Sequence, residues 1–254
     1  MTLLQSPNPY STHSNPKSPT MATSNVDPTL PSLQPSFDPA GTRSESSTTQ
    51  QLIQKLNLQP HPEGGYFVET DRDPLRIPNP YAHTTSTQNP SSILVDTRNA
   101  MTSIHYLLTP RTPLGHFHRN KGRTVHTLHR GRGRYVIIHA DEVASTSCPG
   151  GYGGNESLPE SRRWTDHARI ETFVVGQDIL KGERVQWIVD GGKYKCSFLL
   201  PDQEGGSSSE GLLISETVVP GFEFEDHDFM DEERLRALVS REQADEMAWM
   251  VRRE

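Results

Sequence analysis

Two histidines separated by one residue are the strongest candidates for chemistry in this sequence. His116 and His118 lie in the segment Gly115-His116-Phe117-His118-Arg119. Residues two apart on a β-strand face the same side, so the spacing predicts two neighbouring imidazoles. Such a pair can supply two ligands to a metal ion, or a general base to the interior of a barrel. The alternative interpretation is that Phe117 packs in a core and both histidines face solvent.

Strand-like segments surround this pair and would position it. Short runs rich in Val, Ile, Tyr, Phe, Trp and Thr are separated by clusters of Gly, Pro, Asn or Asp. They cover residues 66–70, 92–95, 101–108, 125–128, 135–139, 170–175, 184–189, 194–200 and 212–219. About eight to ten short strands without intervening helices predict an all-β sandwich or barrel. A long surface loop is predicted over 143–168 from its Gly-rich composition.

The two ends of the chain differ from this pattern. Residues 1–50 hold 26 Ser, Thr and Pro residues, a composition typical of a disordered tail. A short helix follows, with Thr48 as the expected capping residue and an apolar stripe at 52, 53 and 56. A C-terminal helix capped by Asp231 is predicted over 231–254. The predicted organisation is therefore a tail (1–50), a barrel domain (51–230) and a closing helix (231–254).

Composition narrows the class of protein. The net charge of −7 argues against nucleic acid as a partner. No run approaches the roughly 20 apolar residues of a membrane helix. The N-terminus shows no basic segment followed by an apolar one, and Cys148 and Cys196 are too few for a disulfide framework. We therefore expect a cytoplasmic or nuclear protein that is not secreted and does not bind a membrane.

Four segments carry a resemblance to a known family. They are Leu52–Phe67 (with His61-Pro62-Glu63-Gly64-Gly65), Ile104–Pro110, Gly115–Arg119 and Val219–Asp226. In order and spacing they resemble, over roughly 50–230, a cupin family of unassigned function sometimes called cupin family five. The resemblance implies a double-stranded β-helix, which is a jelly-roll barrel with a ligand site in its mouth. It also implies a homodimer.

The sequence departs from the metal-binding pattern of cupins. Thr124 stands where the resemblance implies a glutamate ligand, and Lys195 lies near the position of a third histidine. His126 faces the same side as Thr124, so His116, His118 and His126 together would suit Zn²⁺, with Mn²⁺ or Fe²⁺ as other candidates. The alternative is a cavity without metal whose histidines bind or deprotonate an organic ligand.

The resemblance also suggests an activity. Cupins include nucleotide-sugar epimerases, which use a histidine base and a tyrosine acid, and metal-dependent dioxygenases and isomerases. Because the carboxylate ligand is missing at 124, an isomerase, epimerase or lyase fits better than an iron oxygenase. His116 or His118 would be the base and Tyr66, or alternatively Tyr106, the acid. The other hypothesis is a non-catalytic cupin that binds a small ligand at a degenerate metal site.

Three further residues are candidates for contact with a small-molecule substrate. Glu63 either reaches into the barrel or holds a turn at its rim. Gln186 binds a ligand if it faces inward, but only one of Gln186 and Trp187 can do so. Lys195 either binds an anion, pairs with Glu63 or points outward. The basic residues of 119–134 would attract an anionic ligand, or they form a solvated strand edge.

Overall fold

The computed structural model describes residues 23–81, 97–143 and 167–253. The predicted strand at 92–95 and most of the predicted loop at 143–168 lie outside these residues. The strands of the described ranges are β1 (Gln59–Pro60), β2 (Tyr66–Arg72), β3 (Arg76–Pro78), β4 (Thr97–Asn99), β5 (Thr102–Leu108), β6 (Leu114–Arg119), β7 (Arg123–Arg130), β8 (Gly133–Ile138), β9 (Ile170–Val175), β10 (Gln186–Val189), β11 (Tyr194–Leu199), β12 (Leu212–Val219) and β13 (Asp228–Phe229). The helices are α1 (Ser47–Leu56), α2 (Glu232–Leu238) and α3 (Arg241–Met247).

Two antiparallel sheets face each other and form the barrel. The larger sheet has the order β1-β2-β5-β12-β7-β10, and the smaller has the order β13-β6-β11-β8-β9. A separate pair, β3-β4, lies beside them. Strands distant in the sequence are neighbours in both sheets, as in a jelly roll. The all-β prediction is confirmed.

The core of the described residues has three clusters, and two of them cover the two faces of the smaller sheet. Tyr135 and Ile137 of β8 point between the sheets and pack in a cluster that includes Trp187. Val136 and Ile138 point the other way, into a cluster formed with the C-terminal helices. Every residue of β8 is therefore buried, which is the pattern of a strand with no solvent-facing side.

The helical predictions hold in outline and need correction in detail. The cap of α1 is Ser46, whose hydroxyl accepts a hydrogen bond from the backbone N–H of Thr49, so Thr48 is not the capping residue. The C-terminal region forms two helices, because Val239 is extended and Ser240 caps α3 in a capping box with Gln243. No helix in the described ranges is long and apolar enough to cross a membrane.

Residues 23–50 pack on the barrel, which corrects the prediction of a disordered tail for that part. Leu33 is 1% exposed and Phe37 is 4% exposed. The Glu246 carboxylate on α3 accepts backbone hydrogen bonds from Asn25 and Leu33, both at 2.7 Å. The average composition of residues 1–50 is polar, so it did not predict that Leu33 and Phe37 are buried. Residues 1–22 lie outside the described residues.

Candidate functional site

The barrel encloses a cavity of about 180 Å³. Its lining combines ionisable side chains with aromatic and aliphatic ones. The lining residues are His61, Glu63, Phe67, Glu69, Arg72, Thr102, Ile104, His118, Asn120, Lys195, Glu216, Val218, Phe222 and Phe224. Lys195 is 2% exposed and lies deep with Glu63 and Glu216, whereas Phe224 is 73% exposed and lies near the mouth together with the exposed pair Glu69 and Arg72.

The loop between β1 and β2 inserts Glu63 into this cavity. Gly64 has φ +103°, and a Cβ atom there would collide with the carbonyl oxygen of Leu114 on β6. A glycine therefore lets the loop lie directly against β6. The backbone N–H of His116 donates to the Glu63 carbonyl at 2.7 Å and fixes that approach. The structure thus places Glu63 inside the barrel, only 8% exposed.

Three histidines surround the Glu63 carboxylate. His118 Nε2 lies 3.2 Å from Oε2, and His61 Nδ1 lies 3.6 Å from the same oxygen. His227 Nε2 donates to Oε1 at 2.8 Å. Burial alone would raise the pKa of Glu63, but attraction to His118 and the hydrogen bond from His227 outweigh it and lower the pKa to about 2. Glu63 is therefore a carboxylate at neutral pH.

The His118 ring is held in one orientation. Its Nδ1 lies 2.9 Å from the backbone carbonyl oxygen of His116, and a carbonyl only accepts, so Nδ1 carries the proton. In the uncharged ring, Nε2 then has a lone pair and faces Glu63. Burial lowers the pKa of His118 to about 4, although Glu63 opposes this effect. His118 is therefore uncharged at neutral pH.

The two histidines of the His116-Phe117-His118 segment do not face the same side. Lys195 of β11 pairs with His118, whereas Ser197 pairs with Gly115, so β6 has one residue more than β11 over this stretch. This β-bulge breaks the alternation and leaves His118 inside the barrel. The His116 ring turns away and its Nδ1 donates to the Glu63 carbonyl at 2.9 Å. The prediction that His116 shares the site with His118, as base or as metal ligand, is corrected.

His126 belongs to a different group, deeper in the barrel. Lys195 Nζ donates to Glu216 Oε2 at 2.7 Å and to His126 Nε2 at 3.2 Å. The His126 ring stacks on Trp187, with ring centres 5.1 Å apart. Although burial alone raises the pKa of Glu216, Lys195 and His126 hold it well below its usual value. The predicted triad of His116, His118 and His126 is thus not assembled, because His126 pairs with Lys195 and Glu216.

Two other predicted residues lie outside the cavity. Tyr66 faces α1 and its hydroxyl donates to Glu45 at 2.9 Å, while its neighbour Phe67 lines the cavity. Gln186 is exposed on the edge strand β10, whereas Trp187 points inward. Tyr66 as an acid and Gln186 as a ligand contact are therefore corrected. In both pairs, strand alternation turned the predicted residue outward.

The basic residues of 119–134 do not line the cavity. Arg119, Arg123 and Arg132 form ion pairs with Asp228, Asp190 and Glu183, respectively. Among the residues that line the cavity, three carboxylates (Glu63, Glu69 and Glu216) outnumber two cations (Arg72 and Lys195). The charged side chains of the lining therefore carry no net positive charge, and an anionic ligand stays a prediction.

The structure adds His227, which the sequence did not single out. It lies one residue beyond the segment Val219–Asp226 and next to β13, whose pairing with β6 brings it to His118. The rings of His118 and His227 stack with centres 5.3 Å apart. Ligand atoms of Glu63, His118 and His227 all lie within 4.8 Å of one another. This set of two histidines and one carboxylate suits a divalent metal ion.

Comparisons with known proteins agree with this architecture. Residues 50–230 match the family model described as cupin superfamily (DUF985). Uncharacterized protein YML079W of Saccharomyces cerevisiae is 40% identical over 206 residues, which cover 81% of this chain and 87% of that protein. A hypothetical protein from Leishmania major is similar in structure, with a TM-score of 0.58, 25% identity and coverage of 80% of this chain and 98% of that one. Protein SO0799 from Shewanella oneidensis gives a TM-score of 0.54 at 22% identity and covers 81% and 98% of the two chains.

Proposed function

Because the chain belongs to the family described as cupin superfamily (DUF985), we propose that it is an isomerase, an epimerase or a lyase. Its substrate is a small molecule that binds in the barrel cavity. His118 is the base that accepts a proton from carbon. The family resemblance drawn from the sequence is confirmed, but it carries no assigned activity. The proposal therefore depends on the chemistry of the cavity.

One observation carries the proposal: His118 and Lys195 are directly paired across β6 and β11, and both line the cavity. Side chains of directly opposed residues on antiparallel strands lie about 5 Å apart at Cβ. A molecule of a few atoms can therefore contact both groups at once. A base and a cation on one side of a cavity suit removal of a proton next to a carbonyl group.

His118 is arranged to accept that proton. His118 Nε2 lies 3.2 Å from the ionised Glu63, so the nearby carboxylate favours the protonated ring over the uncharged one. Once Nε2 takes the proton from the substrate carbon, an imidazolium faces a carboxylate at hydrogen-bonding distance. The C–H electrons move to the carbonyl oxygen, giving an enolate. Return of the proton to the other face of that carbon, or to its neighbour, completes an epimerisation or an isomerisation.

Lys195 is arranged to stabilise the negative oxygen. An ammonium group has three N–H donors. Two of them are used by Glu216 and His126, which leaves one for the substrate. Because the ammonium is fixed before the reaction, it stabilises developing charge without reorganising. Lys195 thereby replaces the tyrosine expected from the sequence as the polar partner of the base.

A divalent metal ion in the cavity is the alternative to Lys195 as the group that stabilises negative charge on the substrate oxygen. Glu63, His118 and His227 would hold the ion, which would polarise a carbonyl or lower the pKa of a bound water. The missing carboxylate at Thr124 therefore does not by itself exclude a metal, because Glu63 supplies one from another part of the chain.

The cavity favours a small uncharged polar ligand. Its volume is about 180 Å³. Glu63 and Glu216 would repel an anion, and Phe67, Phe222 and Phe224 offer apolar surface toward the mouth. A polyhydroxylated aldehyde or ketone has both a carbonyl group for Lys195 and C–H faces for the aromatic rings. We propose this class of substrate in place of the anionic ligand suggested by the basic residues of 119–134.

Hydrogen exchange at carbon tests the proposal without knowledge of the product. The protein is incubated in D₂O with a panel of small aldoses and ketoses, and loss of the proton next to the carbonyl is followed by NMR. We expect exchange with at least one compound, reduced about 100-fold or more in His118→Gln. The matched control is His129→Gln, an exposed histidine of β7, which should exchange like wild type. Equal exchange in His118→Gln and wild type would exclude His118 as the base.

The second candidate function is a non-catalytic module that binds a small ligand. The observation in its favour is that burial lowers the pKa of His118 to about 4, which makes its ring a weak base. Under this hypothesis, calorimetry detects binding of a panel compound while NMR detects no exchange in any variant. Homodimeric assembly stays a prediction, and light scattering of the purified chain would test it.

A further inference from the structure

We propose that Asn120 determines which substrates the cavity accepts, because its side-chain amide binds a hydroxyl group of the substrate. This hydroxyl group lies beyond the carbon atom that His118 deprotonates. The inference rests on the proposed function and narrows its substrate class to compounds that carry such a hydroxyl group.

The side chain of Asn120 is buried without a partner. The residue directly follows β6, lines the cavity and is 9% exposed. Its backbone is held in place, since its carbonyl accepts a hydrogen bond from the N–H of Gly192 at 2.9 Å. Its side-chain amide, in contrast, makes no hydrogen bond within the part of the chain that the structure describes. Buried amides are normally hydrogen-bonded, so this one is available to a ligand.

Asn120 differs in this respect from the other buried polar residues of the lining, whose side chains have partners in the protein. The pairs are Glu63 with His227, Thr102 with the backbone N–H of Phe222, His118 with the carbonyl of His116, and Lys195 with Glu216. A ligand can therefore bind the whole Asn120 amide without breaking a hydrogen bond inside the protein.

Asn120 lies at a useful distance from the proposed base. His118 and Asn120 both line the cavity, and two residues of an extended chain span about 6.6 Å. Lys195 lies opposite His118 on β11. A substrate whose carbonyl group contacts Lys195 and whose neighbouring C–H group contacts His118 can therefore place a hydroxyl group, a few atoms further along its chain, at Asn120.

An amide favours hydroxyl groups over other polar groups. It offers two N–H donors and one carbonyl acceptor, and a hydroxyl group is likewise both donor and acceptor. Hydroxyl groups on neighbouring carbon atoms can use the N–H and the carbonyl of the same amide. A carboxylate would use only the donors, and it would also be repelled by Glu63 and Glu216. The amide thus matches a vicinal diol, a group that polyhydroxylated aldehydes and ketones contain.

The same geometry rejects compounds that lack these hydroxyl groups. A ligand that displaces water from the Asn120 amide without replacing its hydrogen bonds leaves a buried polar group unpaired. Such a loss costs about 10–100-fold in affinity. Asn120 therefore discriminates between hydroxylated and deoxy compounds of the same carbon skeleton.

The binding test uses two compounds without a carbonyl group, so that it needs no catalysis. Erythritol carries two inner hydroxyl groups that 1,4-butanediol lacks. Calorimetric titration of the full-length protein should show that erythritol binds about 10–100-fold more tightly, and Asn120→Ala should reduce this preference at least about tenfold. Gln186→Ala is the matched control, since it removes an exposed amide of β10 and should keep the wild-type preference.

Circular dichroism of each variant shows whether it has folded. The proposal is overturned if wild type binds neither compound or binds both equally. It is also overturned if folded Asn120→Ala prefers erythritol as strongly as wild type does.

Deuterium exchange separates this inference from the proposed function. In wild type, the 3-deoxy analogue of an aldose should exchange about 10–100-fold more slowly than the aldose, whereas Asn120→Ala should exchange the two at similar rates. If exchange depends on His118 but the preference is unchanged in Asn120→Ala, the proposed function stands and the role of Asn120 is overturned. If no compound exchanges but the preference for erythritol depends on Asn120, the proposed function is contradicted and the hydroxyl-binding site is supported.

Discussion

The buried ion pair between Lys195 and Glu216 allows a quantitative test of how the barrel interior is held together. The two side chains are 2% and 9% exposed and their charged atoms lie 2.7 Å apart. Lys195→Met removes the ammonium and keeps most of the side-chain volume. Glu216 then stays in the barrel with His126 as its remaining partner at 3.3 Å.

The expected cost follows from this geometry. At 2.7 Å and an effective dielectric constant of about 20, the lost attraction is about 6 kcal/mol. Part of it is offset because the ammonium no longer has to be desolvated. Removal of one partner of a buried pair typically costs about 3–5 kcal/mol, and we expect Lys195→Met to lower the free energy of unfolding by this amount. Lys195→Met/Glu216→Gln removes both charges and should recover more than half of the loss.

Urea unfolding, followed by circular dichroism and tryptophan fluorescence, measures these differences. Arg123→Met is the matched control, because Arg123 and Asp190 are paired at 2.9 Å but are 56% and 57% exposed. This exposed pair should contribute at most about 1 kcal/mol. The reasoning fails if Lys195→Met costs no more than Arg123→Met, or if the double variant is as unstable as the single one.

Three further predictions concern other parts of the fold. Burial lowers the pKa of His139 to about 4. The unfolded chain therefore binds a proton that the folded one does not, and stability falls by up to about 1.4 kcal/mol per pH unit from pH 6.5 to 4. His139→Gln should reduce the difference in unfolding free energy between pH 7 and pH 5, measured by urea unfolding. An unchanged difference would contradict the lowered pKa of His139. Phe37→Ala should cost about 3 kcal/mol of unfolding free energy, because Phe37 is 4% exposed, whereas a cost near zero would mean that residues 23–46 do not belong to the folded domain. Gly64→Ala should lower the thermal midpoint more than Gly182→Ala, since both glycines have positive φ but only Gly64 lies against backbone.

The sequence predicted the fold well because strands are specified locally. Alternating β-branched and aromatic residues marked β5, β9, β11 and β12 to within a residue or two. The resemblance to cupins then supplied the topology, which no local pattern contains. The error at the N-terminus has a physical origin as well, since burial of Leu33 and Phe37 depends on their partners and not on the average composition around them.

The site was predicted in part, and the failures have identifiable causes. Glu63, His118 and Lys195 line the cavity. For each of them, one of the alternatives drawn from the sequence was a position inside the barrel. His116 does not, because a β-bulge is a property of the pairing between two strands and leaves no clear mark in either one. His227 was missed because it reaches the site only through the pairing of β13 with β6. Long-range contacts of this kind cannot be inferred from periodicity.

The proposed base and the alternative metal ion both depend on one electrostatic property of the barrel. Glu63 and Glu216 carry two negative charges, and Lys195 balances one of them. A proton on His118 makes the summed charge of these side chains zero, whereas a divalent ion at Glu63 would make it singly positive. Either event relieves the contact between the His118 Nε2 lone pair and the Glu63 carboxylate at 3.2 Å. The cavity thus favours a positive charge at one defined point, beside Glu63. If added Zn²⁺ suppresses the His118-dependent exchange of deuterium in wild type, the metal and the substrate proton use the same imidazole nitrogen, whereas unchanged exchange in the presence of Zn²⁺ would contradict this reasoning.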